Sequence, residues 1–123
     1  MTSRTLRQQL IGDILGLCAE DDYGLWEVLW YVEGRLPVKG KASARVLVAD
    51  ALRELVKMGH VSLAQRTGPA GASRPLSADE VEAVLSEETS WSEPTEAATQ
   101  FLVGATQDGE RFYYSGVHGA GTN

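Results

Sequence analysis

One cysteine and two histidines among 123 residues leave little material for sulfur or imidazole chemistry. Cys18 has no partner for an intramolecular disulfide, and a thiol set among Leu15, Leu17 and Ala19 reads as a small buried hydrophobe rather than a reactive group. His60 and His118 stand far apart, and no other histidine or cysteine lies at metal-ligand spacing, so no metal and no cofactor is expected. Long apolar runs are missing as well. None approaches the roughly 20 residues that a membrane helix needs, and no apolar stretch precedes a small-residue cleavage site, so a cytoplasmic protein without a membrane partner is expected. Positive charge is scarce: 11 Lys and Arg face 17 Asp and Glu, a net charge of −6. Most of the surface should therefore repel nucleic acid and anionic lipid.

What positive charge there is gathers in one place. Arg35, Lys39, Lys41, Arg45, Arg53, Lys57 and Arg66 meet only Asp50 and Glu54 between residues 35 and 66, a local balance of +5 that leaves −11 for the rest. Such asymmetry suggests one surface built to meet an anion.

The same stretch has a clear local pattern. Residues 42–58 place Val48, Ala51, Leu52, Leu55 and Val56 along one side of a helix, Gly59 suits the left-handed turn that ends it, and residues 60–65 alternate as a strand. Upstream, Leu6, Leu10, Ile11, Ile14, Leu15 and Cys18 predict a first helix over 5–19, and Trp26, Leu29 and Trp30 a second one ending before Pro37. Gly68, Pro69, Gly71, Ser73 and Pro75 predict a mobile loop. Ser77 and Glu80 then form a capping box, with Leu76 and Val81 as its hydrophobic staple, for a short helix from 78 to about 87 that packs as a satellite anchored by Trp91. Residues 100–106 read as a strand. Asp108-Gly109 predicts a hairpin to 110–115, although Thr106 equally suits the cap of a short helix carrying Phe112 and Tyr113. The glycine-rich 116–123 segment is expected to be a disordered tail.

The residues from Ala51 to Val61, Ala-Leu-Arg-Glu-Leu-Val-Lys-Met-Gly-His-Val, resemble the join between recognition helix and wing strand in winged helix-turn-helix proteins. Val103 to Arg111 is similar to the end of the wing in bacterial regulators of the MarR and PadR type. The resemblance spans roughly residues 5–114 and implies an α+β fold: a three-helix winged helix-turn-helix with a small antiparallel sheet, here one domain over 1–115 with a helical insertion at 67–98. Two departures stand out. The insertion carries seven acidic residues where such folds have a short hairpin, and the long C-terminal dimerisation helix of the MarR type is missing, so any homodimer would use helix one or exposed aromatics.

The resemblance implies a transcriptional regulator, not an enzyme, that binds duplex DNA through helix three. Lys39, Lys41, Ser43, Arg45, Arg53, Lys57 and Arg66 are its candidate contacts, with Lys41, Arg45, Arg53 and Lys57 roughly on one side. The bland alternative is a solvated charged face. A second reading is a protein-interaction module on the same frame, an immunity protein, adaptor or assembly subunit, with Trp26, Trp30, Tyr31 and Trp91 as interface anchors. Its own bland alternative is that Trp26 and Trp30, four apart, are core residues. A pocket lined by Trp26, Trp30 and Tyr31 is conceivable between helices one and two, but no convergent polar groups mark a ligand there. Catalysis is not expected, because Ser62 near His60 is not a nucleophile elbow and the glutamates after Ser77 read as a solvated acidic face.

Overall fold

A computed structural model describes residues 5–35, 41–67, 72–93 and 99–122, the side chains of 41, 42 and 116–122 excepted. Helix α1 (Leu6–Glu20) starts at Thr5, whose hydroxyl accepts the Gln8 N–H at 3.1 Å while the Gln8 side chain accepts the Thr5 N–H. This reciprocal cap satisfies two of the donors a helix start leaves free. One face of α1 buries Leu10, Ile14, Leu15 and Cys18. Strand β1 (Tyr23–Gly24) follows, then α2 (Leu25–Glu33), whose first turn is closed by Glu27 Oε1 accepting the Gly24 N–H at 2.9 Å.

Helix α3 (Lys41–Lys57) crosses under both, with Ala44, Val48, Ala51, Leu52 and Leu55 fully buried. It ends in a Schellman turn. Gly59, at φ 78°, donates its N–H to the Val56 carbonyl and His60 donates to Leu55, which satisfies the last carbonyls and turns the chain into β2 (Val61–Thr67). The short strand β3 (Arg74–Pro75), α4 (Ala78–Ser86), a 3-10 turn (Glu88–Trp91), β4 (Thr99–Ala105) and α5 (Gln107–Thr122) complete the order.

The four strands form one antiparallel sheet in the order β1-β4-β2-β3. Leu63 of β2 and Tyr23 of β1 both sit opposite Val103, so β4 is the central strand that ties the stretch between α1 and α2 to the stretch after α3. Three helices and an antiparallel sheet in this order place the chain in the α+β, winged-helix-like class.

Several expectations are corrected. Tyr23 and Gly24, to which the sequence assigns no strand, pair with β4; two residues are too few to show alternation. The Asp108-Gly109 hairpin is absent, because Thr106 caps α5 instead: its hydroxyl accepts the Gly109 N–H at 2.9 Å and donates to the Gly59 carbonyl at 2.6 Å. Gly109 is needed there for closeness, since a Cβ would run into the His60 carbonyl oxygen. The backbone of 116–122 continues α5 rather than forming a loose tail. Tyr113 lies against α1 at Gly16, where an added Cβ would come within 2.9 Å of the phenol oxygen. Finally, α4 is no satellite: Val81, Leu85 and Trp91 belong to the same buried cluster as the three-helix core.

Candidate functional site

The basic residues of α3 do not share a face. Positions four apart drift by about 40° on a helix, so four such steps carry a charge nearly halfway round it. Arg45 consequently turns toward the 3-10 turn, where its guanidinium lies 3.8 Å from Glu88. Arg53 turns toward α4: its Nε lies 2.8 Å from Glu82, its Nη1 3.1 Å from Asp50, and its Nη2 3.4 Å from the Ser86 hydroxyl. The hydrogen bond from Arg53 lowers the Glu82 pKa below the usual carboxylate value against the opposing effect of desolvation, and the same bond raises that of Arg53. Ser43 and Lys57 are exposed on the solvent side. Beside them stand Asp50 and Glu54, the latter 3.6 Å from Arg7. Arg66 lies across the sheet and donates to Gln100 at 3.1 Å, its Nε buried without a partner among the described residues. Lys39 and the side chain of Lys41 lie outside the described residues.

The acidic insertion supplies partners to both arginines, Glu88 to Arg45 and Glu82 to Arg53. Arg74 of β3 donates to both Glu80 oxygens, at 3.1 and 2.8 Å, and to Gln65 of β2 at 2.9 Å, which ties α4 to the sheet. Exposed ion pairs of this kind contribute little stability singly, at most about 1 kcal/mol. Burial of Val81, Leu85 and Trp91 holds α4 and the 3-10 turn over α3; the pairs then cancel charge where it would otherwise face outward.

The aromatic residues, by contrast, come together. A groove of about 1200 Å³ opens between α2, the end of α1, the start of α3 and the 3-10 turn, with Tyr23, Trp26, Trp30, Tyr31 and Trp91 along its walls. Trp91 is 5% exposed and its indole N–H donates to the Leu85 carbonyl at 3.2 Å, so it is an anchored floor. Trp26 is half-buried over Gly24, where a Cβ would sit 2.9 Å from the indole. Trp30 is 74% exposed, against the expectation that a tryptophan four residues after Trp26 shares its burial. The turn between positions 26 and 30 moves the second indole just past the edge of the core. The ring of Tyr31 carries the Arg35 guanidinium 4.2 Å from its centroid.

Nothing matches the chain among protein-family models, curated proteins or solved structures. The groove's chemistry therefore rests on its own residues.

Polar groups do converge there, which the sequence alone does not indicate. Glu27, Glu33, Glu88 and Glu93 line the groove with Arg45 as the one cation among the described lining residues. Partial desolvation, then the neighbouring Glu20, Asp21 and Glu27, raise the Tyr23 pKa above the ordinary phenol value. These carboxylates escaped the sequence reading, although Glu27 and Glu33 sit three residues to either side of Trp30 and so on its side of α2. For Glu88 and Glu93 the sequence carried no signal, because their place depends on how the insertion docks. Among the described residues no three His, Cys, Asp or Glu side chains gather as metal ligands, and no helix is long and apolar enough to cross a membrane.

Proposed function

We propose that this chain is a cytoplasmic, non-enzymatic protein-interaction module on a winged-helix-like frame, and that a segment of its protein partner lies in the aromatic groove. The observation that carries this reading is Trp30, a large apolar side chain 74% exposed beside the half-buried Trp26 and the anchored Trp91. Aromatic residues set on a rigid wall are the usual energetic centre of protein interfaces, because they bury much area and lose little conformational freedom.

Reading duplex DNA through α3 receives less support. Phosphate contact needs unneutralised cations on one outward face. Arg45 and Arg53 each have carboxylates beside them, Glu88 for the first and Glu82 and Asp50 for the second, which lowers the positive charge that α3 presents to a phosphate.

The test is selection of a displayed random-peptide library on the wild-type protein with counter-selection on Trp30→Ala. Peptides that bind the wild type and lose at least roughly tenfold in affinity for the variant are expected. A selection yielding only peptides indifferent to Trp30 would overturn the groove as the binding surface.

A further inference from the structure

The groove is not a neutral apolar slot. Of its four lining carboxylates, Glu88 is engaged by Arg45 at 3.8 Å, and Arg45 is the only cation among the described residues that line it. Glu27 uses one oxygen to hold the Gly24 N–H, which fixes its carboxylate at the groove without removing its charge. Glu93 has no cation paired with it among the described residues, and Glu33 shares the adjoining cleft with Arg35, whose guanidinium is stacked on Tyr31. Four carboxylates thus face two cations, Arg45 and Arg35, among the described residues, and the wall keeps an excess of negative charge next to exposed aromatic surface.

We propose that the groove recognises a cationic side chain of its partner, an arginine or lysine flanked by apolar residues, whose charge lies against Trp30 and the groove carboxylates while its neighbours pack on the half-buried Leu17, Tyr23 and Trp26. This rests on the reading of the groove as a partner-binding surface. Three observations select the charge. A cation over an aromatic face is attracted by the ring quadrupole, and the adjoining Tyr31 already holds Arg35 in that way, 4.2 Å from its centroid. A purely apolar partner would strip water from Glu33 and Glu93 without replacing it, which is costly for an ionised group. An acidic partner would meet an excess of charge of its own sign, with Arg45 beside Glu88 and Arg35 stacked on Tyr31.

The experiment uses the full chain and three short blocked peptides with a single central residue between leucines: arginine, its neutral isostere citrulline, or glutamate. Binding is followed by tryptophan fluorescence at low salt and at about 0.15 M, where exposed charges are screened beyond about 8 Å. The arginine peptide is expected to bind roughly fivefold or more tightly than the citrulline peptide, by analogy with exposed cation–π and ion-pair contacts, and the glutamate peptide weakest. Glu33→Gln combined with Glu93→Gln should erase the arginine preference, and Trp30→Ala should weaken all binding. Equal, Trp30-dependent binding of arginine and citrulline peptides would overturn the charge inference and leave the groove reading standing. Binding of no peptide in a Trp30-dependent way would overturn both. Self-association of the chain that is lost in Trp30→Ala would make a second copy the occupant and overturn the proposal of a separate partner.

Discussion

Glu80 shows how much one side chain can be asked to do. Its carboxylate accepts two bonds from Arg74, and accepts the Ser77 N–H in the capping box of α4, and these bonds lower its pKa from 4.5 to about 2. A carboxyl group with a folded-state pKa below its unfolded value adds stability that is complete above the unfolded value and disappears as pH falls through the folded one. The stability gap between wild type and Glu80→Gln should therefore shrink as pH falls from about 5 to 2, which urea melts at stepped pH would measure. A gap unchanged over that window would assign Glu80 no electrostatic part. Cys18 is the opposite case: burial, then Asp22, pushes its thiol up to about 12, which leaves it protonated and unreactive at neutral pH, as its apolar neighbours suggest.

At the scale of elements, the insertion and the groove exchange parts. The 3-10 turn after α4 supplies Trp91 as floor and Glu88 as the partner of Arg45, so a segment that resembles an elaborated wing becomes a wall facing α2. Two tryptophans of the same groove should then behave differently in thermal melts. Trp91→Ala removes a side chain 5% exposed together with its bond to Leu85 and is expected to cost about 3–5 kcal/mol. Trp30→Ala, at a side chain 74% exposed, should stay within about 0.5 kcal/mol. Equal losses would mean that Trp30 packs more tightly than its exposure indicates. The elements legible in advance were those with dense local signals: the stripes of α1 and α3, the Gly59 stop and the Ser77 cap. Strand β1 was not, because its reason for existing is β4, far along the chain. The start of α5 was ambiguous for a related reason. Asp108-Gly109 favours a hairpin locally, while the approach of Gly109 to the His60 carbonyl is a contact between elements.

Over the whole molecule, net charge and its distribution point different ways. A +5 segment in a chain of net charge −6 suggested an anion-binding face, yet folding brings Glu82 and Glu88 against its arginines. Labelled random-sequence duplex titrated from low salt to about 0.2 M should accordingly show no rise in anisotropy with the wild-type chain. Low-salt binding that disappears in Lys57→Gln would instead support contact through the open side of α3. The candidate site was half legible. Trp26, Trp30, Tyr31 and Trp91 stood out as anchors because aromatic residues are few, but their acidic companions did not, since glutamate is common and its role depends on its neighbours. Helix, glycine stop and strand follow from periodicity and from hydrogen bonds reaching a few residues along the chain, and so are written in the order of the amino acids. The pairing of charges is not, because Arg53 meets Glu82 across 29 positions and only packing of Val81, Leu85 and Trp91 onto the core brings them together.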